Sequence, residues 1–242
     1  KDAIHENLGF IRDMLRERSI AKVGPWQLNA RSAIRGIVRF QKDHVPNWYH
    51  DELRSLAEGA GITLDDAQIG NFVPELMHCS GFAIPNSATR DGTLYHGRVL
   101  DYAIGWRLQQ HAVLIVAEPE GGIPFVNVTY AGFIGSVTGM NARQVSIGEM
   151  GGGGYGHWNG VPMAVLMRQV LGSAEDLDSA IAVFRDQPRT CQYFYVIADG
   201  KTNHAVGMEA SWNRFEVVHP GEANKLLPTP VEDCVLLSAG NR

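Results

Sequence analysis

Between residues 4 and 18 the apolar side chains Ile4, Leu8, Ile11 and Leu15 recur every three or four positions, the spacing that gathers them on one face of a helix. Ala30, Ile34, Ile37 and Val38 repeat that spacing and predict a second helix. A third carries Trp48, Leu53 and Leu56. Pro46 suits its first turn, because the ring presets φ, and Gly59 or Gly61 suits its end. Thr63 is the expected N-cap of a short fourth helix, with Asp65 and Asp66 in the first turn, where the positive helix end favours carboxylates. The first 78 residues therefore read as a helical unit.

At Cys79 the pattern changes. Runs of strand length and β-rich composition are expected over 79–84, 93–100, 112–117, 125–130 and 145–147, with Asp91-Gly92 and Gly121-Gly122 as turns. Two helices follow, an apolar one over 161–171 and one over 174–184, which Ser173 can cap and where Leu177, Ile181 and Phe184 share a face. Strands return over 193–198, 204–209 and 215–218. Strands, a helix pair and strands again give an α+β class with sheets layered against helices, because no βαβ alternation is present.

Composition narrows the function. The 242 residues, 45% hydrophobic, can bury one substantial core. Net charge is −5, and both sides of Cys79 are alike: residues 1–78 carry 10 Lys+Arg against 11 Asp+Glu, the remainder 11 against 15. No basic stripe exists to neutralise phosphates, which argues against nucleic acid as a partner. No apolar run reaches the ~18 residues of a membrane span. Cys79, Cys191 and Cys234 are too few and too widely spaced for a disulfide framework, and the nine histidines show no H-E-x-x-H spacing, so neither a metal nor a cofactor is expected. A start at Lys1 without Met fits export with signal removal, trimming or a fragment equally well, and leaves localisation open.

Candidate chemistry centres on Cys79. A hairpin turning near Asp91-Gly92 would bring Arg98 and Asp101 back beside it. Were Cys79 an N-terminus, its α-amine, with a pKa near ~7.7–8.0, could take the proton of a thiol near ~8.5, so nucleophile and base would share one residue. Arg98 would stabilise thiolate, and Asp101 could orient the amine. Spacing alone also fits a buried core cysteine and an exposed Arg–Asp pair.

The run Cys79-Ser80-Gly81-Phe82-Ala83, the Arg90-Asp91-Gly92 turn and His96-Gly97-Arg98-Val99-Leu100-Asp101-Tyr102 resemble the start of the mature chain in cysteine N-terminal-nucleophile hydrolases. The nearest resemblance is to the penicillin acyltransferase-like (isopenicillin N acyltransferase) family, with bile salt hydrolases and acid-ceramidase-type amidases more distant. The stretch from Asp51 to Gly61, then Asn71 and Glu75-Leu76, resembles the end of that family's propeptide, and Arg189 to Tyr193 with Ile197 to Gly200 fits downstream. The similarity runs from about Pro46 to the C-terminus.

This resemblance implies a four-layer αββα catalytic domain over 79–242 behind a helical propeptide, 1–78, that is cut off between His78 and Cys79. The two cleaved chains could stay together as a heterodimer. Acyl transfer from a small acyl-amide or acylated amine would run through a Cys79 thioester, to water or to an amine. By motif position Cys79 is nucleophile and base, with Arg98 and Asp101 assisting. Val99 stands where the family has Asn, and Glu149 stands where relatives carry an amide oxyanion donor; a carboxyl there donates only when protonated. A second amide corresponds best to Gln192. Glu149, Trp106, Tyr155 and Trp158 are the expected substrate-binding residues, with His96 and His157 as further pocket candidates. The family has more strands and a helix after Ser238-Ala239-Gly240-Asn241-Arg242, so either they are absent here or the αββα fold is C-terminally incomplete. An ester hydrolase of phospholipase-B-like type and an unprocessed, non-catalytic ligand-binding relative remain alternatives. Gly151 to Gly156 formally satisfies G-x-G-x-x-G, but no acid follows at the spacing of a dinucleotide site, and a flexible loop at the pocket mouth is expected.

Overall fold

The computed structural model describes residues 1–23, 26–223 and 232–238. The helices of the first third follow the predicted periodicity: α1 (Asp2–Glu17), α2 (Ala30–Gln41), α3 (Asn47–Ala60) and α4 (Leu64–Phe72). Pro46 is the residue just ahead of α3 rather than within its first turn, and Gly61 closes that helix at φ 71°, where a Cβ would be strained. The Thr63 hydroxyl accepts from Asp66 N–H as the expected cap of α4. The segment is not wholly helical, because the antiparallel strands β1 (Ser19–Val23) and β2 (Trp26–Asn29) pair between α1 and α2. A 3-10 turn, Val73–Leu76, follows α4.

The remaining strands are β3 (His78–Ile84), β4 (Tyr95–Asp101), β5 (Ala112–Ala117), β6 (Phe125–Tyr130), β7 (Thr138–Asn141) and β8 (Val145–Gly153). After helices α5 (Met163–Ser173) and α6 (Leu177–Arg185) come β9 (Gln192–Asp199), β10 (His204–Ser211), β11 (Phe215–Val218) and β12 (Val235–Ser238). Asp176, not Ser173, caps α6: its carboxylate accepts from Ser179 N–H while the Ser179 hydroxyl accepts from Asp176 N–H. The physical reason is that α5 runs on to Ser173, whose hydroxyl turns back to Gln169 O. The glycine run also departs from a loop, since Gly151, Gly152 and Gly153 belong to β8.

The fold is mixed α and β. One antiparallel sheet has seven strands in the order β11-β10-β9-β8-β7-β6-β5, and a second has three, β12-β3-β4. The sheets face each other through a buried cluster of Cys79 and Ala83 from β3, Met150 from β8, Val196 and Ala198 from β9, Ala205 from β10 and Val235 from β12. The opposite face of the large sheet carries α5 and α6, where Phe184 packs on Tyr195 with ring centroids 4.4 Å apart. Helix, sheet and sheet are thus three of the four expected layers; among the described residues no helix covers the outer face of the small sheet.

The N-terminal helices share their hydrophobic cluster with the large sheet and α5: Leu8, Ile11, Leu53, Ile69 and Phe72 bury together with Phe133, Leu166 and Tyr193. Polar staples cross the same boundary. Asn71, buried, donates to Gly132 O (2.8 Å) and accepts from Ile134 N–H (2.8 Å) and the Tyr49 hydroxyl (3.2 Å). Arg168 grips Glu52 with both carboxylate oxygens at 2.9 and 3.0 Å, and Asn7 donates to Ala131 O at 2.8 Å. Asn71→Leu, which strands the partly buried Ile134 N–H and the buried Gly132 carbonyl, is expected to lower stability by about 2–3 kcal/mol in urea denaturation, and a loss near zero would contradict this role.

Candidate active site

β3 alternates buried and half-buried positions, so Cys79, Gly81 and Ala83 point into the space between the sheets. In the β3–β4 register Cys79 lies opposite Leu100, Gly81 opposite Arg98 and His78 opposite Asp101. Arg98 therefore shares the inward face with the thiol, and Asp101 lies on the outer, exposed face, where it accepts from the Ser80 hydroxyl at 3.2 Å. The Asp101 backbone N–H still reaches the thiol from the neighbouring strand. Cation and acid flank Cys79 from opposite faces of one small sheet.

Arg98 Nη2 donates to Cys79 Sγ at 2.6 Å and to Glu149 Oε2 at 3.2 Å, and its Nε donates to Glu149 O at 3.0 Å. The side chains of Arg98 and Glu149 are 4% and 0% exposed, so this charge has little water to solvate it. Room for the guanidinium stem comes from Gly148, where a Cβ would stand 3.0 Å from Arg98 Cγ. β7 pairs with β8 only as far as Gly148, which leaves Glu149 beyond the ladder, its N–H donating to Val137 O. Glu149 Oε1 is buried without a hydrogen-bond partner.

Burial decides the protonation states. It pushes the Cys79 thiol up to about 12, with Arg98 pulling the other way and Glu149 adding to the rise. The Glu149 carboxyl is pushed up to about 8 by burial, against the pull of Arg98. Burial thus favours the protonated form of the Glu149 carboxyl, the form in which a carboxyl can donate. Glu75, buried beside α5, is likewise raised by burial to about 7, although Ala164 N–H and the Tyr193 hydroxyl donate to it. Burial lowers His96 to about 4; its Nδ1 lies 2.8 Å from the Ser146 hydroxyl.

Two cavities adjoin Arg98. One, of about 360 Å³, is walled by Leu100, Tyr102, Ile104, Leu108, Val128, Tyr130 and Val137. The other, of about 410 Å³, lies along His96, Thr138, Gln144 and Ser146. Of the expected substrate-binding residues, Glu149 is beside the thiol, but the aromatic ones are not in these walls. Trp106 packs on the main core next to Ile104, which takes the wall position. Tyr155 and Trp158 stack on each other, ring centroids 6.2 Å apart, and Trp158 meets Phe72 of α4. Gln192 donates to Glu209 Oε1 at 2.8 Å rather than to a group of the thiol cluster, and His157 stacks on Trp212. Leu100 and Tyr102 could have been found from the period of two that starts at Arg98; Leu108, Val128 and Val137 come from separate stretches of the chain and left no local signal.

The sequence model of the acyl-coenzyme A:6-aminopenicillanic acid acyl-transferase family matches residues 88–225, which hold Arg98, Asp101 and Glu149, and the chain belongs to that family. It is 28% identical over 190 residues to protein dcd1A of Dictyostelium discoideum, a match covering 73% of this chain and 43% of that one. It is 24% identical over 203 residues to the N-acylethanolamine-hydrolyzing acid amidase of Mus musculus, covering 80% and 54%. The chain spans about half the length of the curated relatives it matches. Among solved structures, the Caenorhabditis elegans N-acylethanolamine-hydrolyzing acid amidase ortholog is similar at 19% identity and a TM-score of 0.49, covering 68% of this chain and 71% of that one.

The raised carboxyls set a pH dependence. Ordinary glutamates ionise near 4.5, so between pH 6.5 and 8 the unfolded chain has released protons that the fold still holds, on Glu75 up to about 7 and on Glu149 up to about 8. The folded state binds more protons in that window, and stability falls as pH rises. His96, lowered from an ordinary 6.5, acts in the opposite sense only below that value. The melting temperature is expected to drop from pH 6.5 to 8, by about 2–4 °C per kcal/mol lost, and Glu149→Gln should remove most of the slope. A flat wild-type profile would contradict the buried protonated carboxyl.

Proposed function

We propose that this chain is the precursor of a thiol amidohydrolase or acyltransferase that cuts itself between His78 and Cys79 and then takes acyl groups from N-acylated amines onto Cys79. The observation that carries the reading is the buried contact of Arg98 Nη2 with Cys79 Sγ at 2.6 Å, backed by Glu149. A structural cysteine has no need of a desolvated guanidinium aimed at its sulfur.

In the uncut chain the thiol, raised to about 12, stays protonated until the attack, when its proton passes through water toward the scissile nitrogen. Sγ then attacks the His78 carbonyl carbon, the His78–Cys79 C–N bond breaks, and the departing nitrogen takes up a proton as the new α-amine. Water hydrolyses the resulting thioester, which returns the thiol and leaves a carboxylate on His78, one water being consumed overall. Protonated Glu149 is suited to donate to the carbonyl oxygen as negative charge develops there. Once released, the α-amine serves as the base for Cys79 in each later cycle, and Asp101, opposite His78 in register, is suited to orient it. Substrate follows the same path: acyl carbon to Sγ, amine out with a proton, and water or another amine in.

The apolar cavity beside Arg98 supports an acyl group as the part of the substrate held there. The name of the mouse relative, an N-acylethanolamine-hydrolyzing acid amidase, points to the same class. Residues 1–78 would act as the propeptide and stay bound as the smaller chain of a heterodimer, since Asn71, Glu52 and Asn7 tie them to the rest.

Denaturing mass spectrometry of the purified protein is expected to give two fragments meeting between His78 and Cys79, and one intact chain for Cys79→Ala. Arg98→Gln should slow the cut and the turnover of an N-acyl amine by roughly 10²–10³. A wild-type chain that stays whole and forms no thioester with an acyl donor would refute the reading and favour a ligand-binding relative.

A further inference from the structure

The backbone reaches Cys79 through a segment pressed against the large sheet. Glu75 accepts from Ala164 N–H at the start of α5 (2.9 Å) and from the Tyr193 hydroxyl (2.9 Å), which also lies 3.0 Å from the Glu75 carbonyl oxygen. Two residues on, the chain passes directly over Gly151. A Cβ there would stand 1.9 Å from Met77 O, 3.0 Å from Met77 C and 3.3 Å from His78 Nδ1. Gly151 and Tyr193 are cross-strand partners in β8 and β9, so one pair of sheet residues touches the linker twice within the four residues ahead of Cys79.

Gly151 is not among the glycines with positive φ, so no turn requires it. A glycine inside a strand weakens the strand, and close approach of another backbone is the remaining reason to have one. Its neighbour works on the far side of the bond: Met150 Sδ lies 2.7 Å from the place of a Cβ on Gly81. β8 thus brackets the His78–Cys79 peptide, with a bare Cα before it and a thioether after it.

We infer that Gly151 is a positioning residue for self-cleavage, its missing Cβ and the Tyr193 hydroxyl seating the Glu75–His78 backbone so that the His78 carbonyl meets the Cys79 thiol. The inference rests on the proposed scission. Once the bond is cut, the strand end at His78 is no longer tied to Cys79 and can shift off Gly151. A Cβ there burdens the cutting step and spares the transfer step that follows.

The test uses the full chain with Gly151→Ala and, as a control, Gly153→Ala, whose Cβ meets only Gln192 Oε1 at 3.6 Å. Three readouts are taken: the time course of scission by denaturing mass spectrometry, turnover of an N-acyl amine per cut chain, and the melting temperature of each variant in the Cys79→Ala background. Gly151→Ala is expected to slow scission about 100-fold, the scale of a displacement near 1 Å, with turnover per cut chain unchanged. Gly153→Ala should cut at the wild-type rate. Tyr193→Phe, which keeps the ring and removes only the hydroxyl, should slow scission about tenfold and serves if Gly151→Ala does not fold. Wild-type scission in a folded Gly151→Ala chain, or in Tyr193→Phe, overturns the inference and leaves the proposed function standing. Turnover per cut chain that falls as far as the scission rate assigns Gly151 a general structural role and overturns it too. A wild-type chain that never cuts removes both readings together.

Discussion

A guanidinium does not shed its charge inside a protein, so burying Arg98 obliges its surroundings to supply acceptors at fixed places. They are the Cys79 sulfur on β3 and the backbone and carboxyl oxygens of Glu149 on β8. β4 must therefore lie over β8, Gly148 must lack a side chain, and β7 must stop pairing before Glu149. The relative placement of the two sheets depends on this contact, which also pulls against the rise that burial imposes on the thiol and the carboxyl. Removing Glu149 or Cys79 would leave the charge with fewer acceptors, which is why site and scaffold cannot be separated here.

Much of the architecture could be read from local pattern. α1 to α4 have an apolar period and end signals of their own, and β5, β6 and β11 coincide with compact β-rich runs. What escaped depends on partners distant in sequence. β7 is four residues with a glycine and no alternation, held by its neighbours β6 and β8. β8 is far longer than its β-branched start suggests, because its glycines answer to neighbours distant in sequence, Gly148 to Arg98 and Gly151 to the linker at Met77, not to strand propensity. For α6 both Ser173 and Asp176 are cap residues, and only the length of α5 chooses between them.

The candidate site divides the same way. The hairpin that sets Arg98 and Asp101 near Cys79 was legible in the chain, whereas their separation onto opposite faces follows from the register. The Arg98–Glu149 contact spans 51 positions, and nothing local announces it. Trp106, Tyr155 and Trp158 drew notice as large aromatics near the motifs, yet their faces are taken by core and by one another. Cavity walls built from aliphatic residues of four elements resemble any other core in a one-dimensional reading.

The opposite facing of Cys79 and Asp101 has a wider meaning. β3 is a partition one peptide thick: sulfur and guanidinium lie on its dry side, Ser80 and the exposed Asp101 on its wet side. An amine released at residue 79 would open at the seam between the two. Its proton would equilibrate with solvent while the sulfur a few bonds away stays buried, met only by what enters through the cavities beside Arg98. A single residue would then belong to two dielectrics at once, with its basicity set by the bulk and its nucleophilicity by the protein.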